Sequence, residues 1–137
     1  MIKLLKMDFV PGSADVGLLA LRAWLGLTLL LNHGWDKLVH FQTKAGSFPD
    51  PLGIGSQFSL GLAVYAEVAC AALLVLGLFT RFAALCLSIQ MTVAFFLVHN
   101  AALSGQHTGE LAFVYLAGFV ALFLSGAGRL SFDGRAR

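Results

Sequence analysis

The sequence predicts an all-α membrane protein, a bundle of four transmembrane helices with both termini in the cytoplasm. Three observations predict it. The chain is 58% hydrophobic and 12% charged, with a mean hydropathy of +0.84. A soluble domain carries roughly 25% charged residues, so this one has too little charge to dress a surface in water. Second, four apolar stretches, 16–38, 59–79, 82–100 and 109–126, approach the roughly 20 residues needed to cross a hydrocarbon core about 30 Å thick. Third, with the N-terminus inside, Lys3, Lys6, Arg81, Arg129, Arg135 and Arg137 are cytoplasmic and only Lys37 and Lys44 lie outside, as the positive-inside rule requires.

The 137 residues make one domain, 1–137, with no room for an appended soluble enzyme. A net charge of +2 without a basic run gives no reason to expect nucleic acid as a partner. Met1 to Val10 reads as an amphipathic interfacial lead ended by Pro11-Gly12. Lead and first span are expected to be retained rather than cleaved as a signal peptide, because Arg22 interrupts the apolar run and no A-x-A site follows.

The first span ends outside in His33, Asp36 and Lys37. The outer loop, Val39 to Phe58, carries Pro49, Pro51 and several glycines, and a long irregular loop of this kind suits a lid. The second span holds Glu67, and a tight turn at Phe79-Thr80-Arg81 joins it to the third, which ends in His99 and Asn100. His107 and Glu110 lead into the fourth. Cys70 and Cys86 fall at depths about 7 Å apart, lack a C-x-x-C pattern, and read as packing thiols.

Carboxylates inside spans are expensive and mark functional positions, which singles out Glu67 and Glu110. Glu67 lies about 12 Å below the outer surface, and most other ionisable groups of the spans collect in the same outer half. Arg22, about 9 Å from the inner face, is the exception. Helical phase places Arg22, Gly26, Leu29, His33 and Lys37 on one stripe. Glu67 shares its stripe with Ala63, Cys70, Ala71 and Leu74, small enough for close helix approach. On the third span Ser88, Thr92 and His99 align while Gln90 points elsewhere. The stripes are expected to surround a polar pocket open to the outside.

Plainer roles suit several of these residues. His33 and Lys37 with Trp35 also fit a headgroup anchor, as does His99. Arg22 either snorkels to the inner headgroups or reaches Glu67 or Gln90. Glu110 also fits a helix N-terminus, where the dipole favours a carboxylate.

The ordered pieces Arg22, Asn32-His33-Gly34-Trp35-Asp36-Lys37-Leu38, Ala66-Glu67, Gly77-Leu78-Phe79-Thr80-Arg81, Phe96-Leu97-Val98-His99, Gly109-Glu110-Leu111-Ala112 and Gly126-Ala127-Gly128-Arg129-Leu130-Ser131-Phe132-Asp133 resemble the DoxX family of small bacterial membrane proteins. The resemblance implies a four-helix membrane bundle in the bacterial cytoplasmic membrane. It also implies a place among relatives that include subunits of thiosulfate:quinone oxidoreductase and partners in membrane redox complexes.

The expectation is a quinone-linked redox subunit. His33, Lys37, His99 and Arg22 would bind the quinone. Glu67 would exchange protons, its pKa raised by desolvation, with Glu110 relaying them outward. No glycine-rich nucleotide motif or zinc pairing occurs in the sequence, so no metal ligand set is assigned. Electrons would come from a partner protein, a bound centre or a small reductant. Haem or copper between His33 and His99 stays open as a further reading. So do a non-catalytic accessory or scaffold subunit, a homo-oligomer, and a small-solute or proton transporter.

Overall fold

The structure, a computed structural model, describes residues 2–7 and 12–136. Among them the chain is helical with no strand. A short helix α1 (Ile2–Lys6) precedes α2 (Ala14–Val39), α3 (Phe41–Lys44), α4 (Ser56–Leu76), α5 (Thr80–Val98), α6 (Glu110–Ser125) and α7 (Phe132–Arg135). Helix α1 takes up part of the expected lead; residues 8–11, with its Pro11 stop, lie outside the described residues.

Helices α2, α4 and α5 are long and apolar enough to cross a membrane. Helix α6 has 16 residues, about 24 Å of helix at about 1.5 Å each, against a hydrocarbon core of about 30 Å. Lipid-facing character is plain on the outer surfaces: Trp24 is 77% exposed and Leu31, Phe58 and Leu124 stand open beside it in kind. With no water-soluble dressing for such faces, the chain is a membrane protein.

Close approach sets the packing. A Cβ at Gly26 would come within 2.5 Å of Val75 Cγ2, and one at Gly34 within 2.5 Å of the Glu67 carbonyl oxygen. Helices α2 and α4 therefore touch almost backbone to backbone. Helix α4 also packs on α5, α5 on α6, and α6 reaches back to α2, where Gly118 faces Leu25. The four enclose a core of Leu29, Ala66, Cys70, Leu74, Leu87, Phe119 and Leu122.

The second span ends at Leu76, three residues before the expected boundary. Gly77 adopts the left-handed conformation (φ +71°). Its N–H bonds the Leu74 carbonyl at 3.1 Å, while the Leu78 N–H bonds that of Leu73 at 2.9 Å. This is a Schellman stop, and glycine suits it because it lacks a Cβ. The third helix accordingly starts at Thr80, and the turn falls at 77–79.

The inner end is tied by a clasp that corrects the reading of Arg22. Arg22 is fully buried and neither snorkels nor reaches the outer pocket. Its guanidinium donates to the carbonyls of Leu74 (3.2 Å), Val75 (3.1 Å) and Leu130 (2.7 Å). Two of these are end carbonyls of α4, which have no partner within their own helix. Asp133 accepts from the N–H groups of Phe79 (2.9 Å) and Thr80 (2.8 Å), capping α5. Asp15 accepts from the Arg129 N–H at 2.8 Å. The segment after α6 is thereby locked to the α4–α5 turn.

Candidate functional site

Each of the three long helices departs from α-helical winding over one turn. Residues Leu30–Gly34 in α2, Tyr65–Cys70 in α4 and Ala94–Val98 in α5 form π-helical turns. Such turns are uncommon and frequent at functional sites. Here they carry His33 and Glu67 and directly precede His99.

Glu67 is the hub of the site, with its side chain 6% exposed. One carboxylate oxygen accepts from Lys37 Nζ at 2.6 Å and the other from Gln90 Nε2 at 2.6 Å. Both acidic oxygens are thus satisfied by donors from α2 and α5. Without such partners, burying a carboxylate is costly. Because the Gln90 amide nitrogen faces the carboxylate, its Oε1 points elsewhere; it is buried and has no partner among the described residues. Tyr115, buried on α6, lies near Glu67, meets His33 edge to face at 6.3 Å and stacks on Phe119 at 5.7 Å.

These groups head a cavity of about 720 Å³, within the usual range for small-molecule sites. Its polar wall is His33, Lys37, Glu67, Gln90, His99 and Tyr115; Leu29, Ala63, Met91 and Val93 contribute apolar surface. His99 is oriented by a 2.8 Å contact between Nδ1 and the Ala94 carbonyl, which also accepts the His99 N–H at 3.0 Å. Leu62, Tyr65 and Ile89 line the cavity yet are about half exposed. The exposed lining residues thus come from both α4 and α5.

The outer loop covers the top: Phe48, Pro49, Pro51, Leu52 and Ile54 all line the cavity, as a lid would. Asp50 holds its shape, accepting from the N–H groups of Ile54 (3.0 Å) and Gly55 (2.8 Å) and from Ser59 Oγ (2.8 Å). The Gly55 N–H first, and then Ser59, hold its carboxyl below the usual carboxylate range.

The structure brings together His33, Lys37, Glu67 and His99 of the sequence-derived set and leaves out two. Arg22 belongs to the inner clasp. Glu110 is exposed at the first turn of α6 and is absent from the cavity lining, although Gly109 and Leu111 are part of it. The physical reason is phase: Glu110 lies nine residues, about half a turn out of step at about 100° per residue, from the buried Phe119. The two glutamates do not share a chamber, and the relay through Glu110 has no geometric basis.

Gln90 and Tyr115 were missed. The expected stripe of Ser88 and Thr92 instead bonds its own helix, at the carbonyls of Ala84 (2.7 Å) and Ser88 (2.8 Å). A π turn holds an extra residue, which rotates everything beyond it by about 100°. His99 is so turned away from Ser88 and Thr92 and toward the Gln90 side. The cysteines also need correction. Cys70 sits beside Cys86, not at a different depth.

The DoxX family model matches residues 17–100. Two proteins of Haemophilus influenzae strain Rd, both described as uncharacterized, are similar along most of their length. One is 33% identical over 116 residues, covering 78% of this chain and 81% of the relative. The other is 31% identical over 128 residues, covering 88% and 83%. No solved structure matches the chain. With its helical, apolar bundle and a match over more than half its length, the chain belongs to the DoxX family of membrane proteins.

Proposed function

We propose that the outer cavity binds a lipid-soluble molecule with a carbonyl- or hydroxyl-bearing head, of the quinone class, which enters sideways from the bilayer. The observation that carries this reading is the Lys37–Glu67–Gln90 cluster on the wall of a cavity that Leu29, Leu62, Ala63, Met91 and Val93 make largely apolar. A head group with accepting oxygens fits the Lys37 end of that cluster, since Lys37 Nζ has protons to give. The half-exposed Leu62, Tyr65 and Ile89 suit an isoprenoid tail leaving between α4 and α5.

A bound quinone would supply two-electron chemistry. The chain's own part is to orient the head through His33 and Lys37, to exclude water with the lid, and to hold a proton at the Lys37–Glu67 pair. Glu110 takes no part in it. Electrons would reach the site from a partner protein or small reductant. Within this reading α6 is a short fourth span, accommodated by local thinning. Arg81, Arg129 and Arg135 gather at the inner clasp, which favours cytoplasmic termini in a bacterial cytoplasmic membrane.

The test is gentle extraction in native lipid and mass analysis of small molecules retained by the wild type and by Gln90→Leu. A quinone held by the first and lost from the second supports the reading. Retention of bulk phospholipid alone, equal in both, contradicts it.

A further inference from the structure

The wall of the cavity carries a second chemical feature. Cys70 ends the π turn of α4 and is fully buried; Cys86 on α5 lines the cavity. The α4–α5 hairpin sets them level. Cys70 lies six residues before the last residue of α4, and Cys86 six residues after the first of α5. Both are about 9 Å from the turn. The Glu67–Gln90 bond fixes the same register one turn higher. Ala71, Ala83 and Ala84, all at zero exposure, make up the core at this level and permit close backbone approach. The thiols are free and adjacent, and Tyr65, also on the cavity wall, lies beside Cys70.

The geometry points to a dithiol site: Cys70 and Cys86 form a redox couple that closes to a disulfide, with a quinone in the adjoining cavity as oxidant. This rests on the quinone reading of the cavity above. The balance is simple. Two S–H bonds break and one S–S bond forms. The two electrons and two protons pass to the quinone, which leaves as quinol with two new O–H bonds. Cys86 is the sulfur that meets the oxidant, because it alone of the two lines the cavity. Cys70 is enclosed and reacts only with Cys86, which protects the pair from water-soluble oxidants.

The test uses full-length reduced protein in lipid nanodiscs and decylubiquinone under argon. Thiols are counted by maleimide labelling after denaturation, with intact mass. Quinone binding is measured in parallel by thermal shift. The expected result is two labels per chain before quinone and none after, a mass lower by two hydrogens, and one quinol formed per disulfide. In Cys86→Ser the remaining Cys70 keeps its label after the same treatment.

A thermal shift with both thiols still labelled overturns the dithiol site while leaving the quinone pocket standing. A mass gain of one quinone, signifying arylation of a thiol, overturns it too. No thermal shift and no thiol loss overturns both readings. Serine replaces cysteine with little change of volume, and the thermal midpoint of Cys86→Ser without quinone checks that it folds.

Discussion

Lys37 on α2 donates to Glu67 on α4 at 2.6 Å, so the ion pair that heads the cavity also ties two helices at their closest outer approach. A Cβ at the neighbouring Gly34 would collide with the Glu67 carbonyl oxygen. Site and packing are therefore one feature, and perturbing either moves both.

Glu67→Gln keeps the side-chain shape but leaves Lys37 without its counter-charge. The coupling between Lys37 and Glu67, measured by a Lys37→Met/Glu67→Gln double-mutant cycle in detergent, is expected at about 2 kcal/mol, as for hydrogen bonds to charged groups. A coupling near zero would mean that the pair forms no working contact.

Gly34→Ala must force α2 away from α4, because the nearest atoms are backbone. Overpacking of this kind costs about 1–3 kcal/mol. Gly61→Ala on α4 meets nothing within 4 Å and is expected to be neutral or stabilising by about 0.5–1 kcal/mol. Thermal unfolding of the two variants side by side checks the contrast, and equal midpoints would refute it.

Asp50 controls the lid. Its carboxyl titrates below the usual range because Gly55 N–H and Ser59 bond the charged form. The folded pKa is thus below the unfolded value of about 3.9. Its stabilisation is complete above the unfolded pKa and is lost as pH falls through the folded one. Hydrogen exchange at residues 50–55 should be slow at neutral pH and speed up in acid beyond the intrinsic trend. Asp50→Asn should exchange fast throughout. Equal protection in the variant would show that the lid does not depend on this carboxylate.

At the inner end, Arg22→Lys is expected to fail to replace arginine. An ammonium cannot reach three carbonyls on two segments with the reach of a planar guanidinium. The expected loss is about 2 kcal/mol or more, with ligand affinity unchanged in the protein that remains folded. Equal stability of Arg22→Lys would show that the clasp needs only the charge.

Much of this site was legible from sequence, for stated reasons. Depth along a helix is linear in residue number, so His33, Lys37, Glu67 and His99 could be assigned to the same half of the bundle before any side chain was placed. Phase was less legible, because three π turns shift it within the very segments concerned; Gln90 was lost that way. The Glu110 miss had a readable signal in its half-turn offset from Phe119. The cysteine miss had one too, since Gly77 announces a left-handed stop that shortens α4 and levels Cys70 with Cys86. Arg22 was harder. Its partners are backbone carbonyls on α4 and near Leu130, and no sequence pattern advertises an acceptor that every residue possesses.

The most direct measurement is a quinone binding isotherm on wild type, Glu67→Gln and Glu110→Gln in nanodiscs. With the head group held by the Lys37–Glu67–Gln90 cluster, Glu67→Gln should weaken binding about tenfold or more, the effect of roughly 1.4 kcal/mol, while Glu110→Gln binds as wild type. Equal affinity across all three, or loss only in Glu110→Gln, would contradict the placement of the ligand at this cluster.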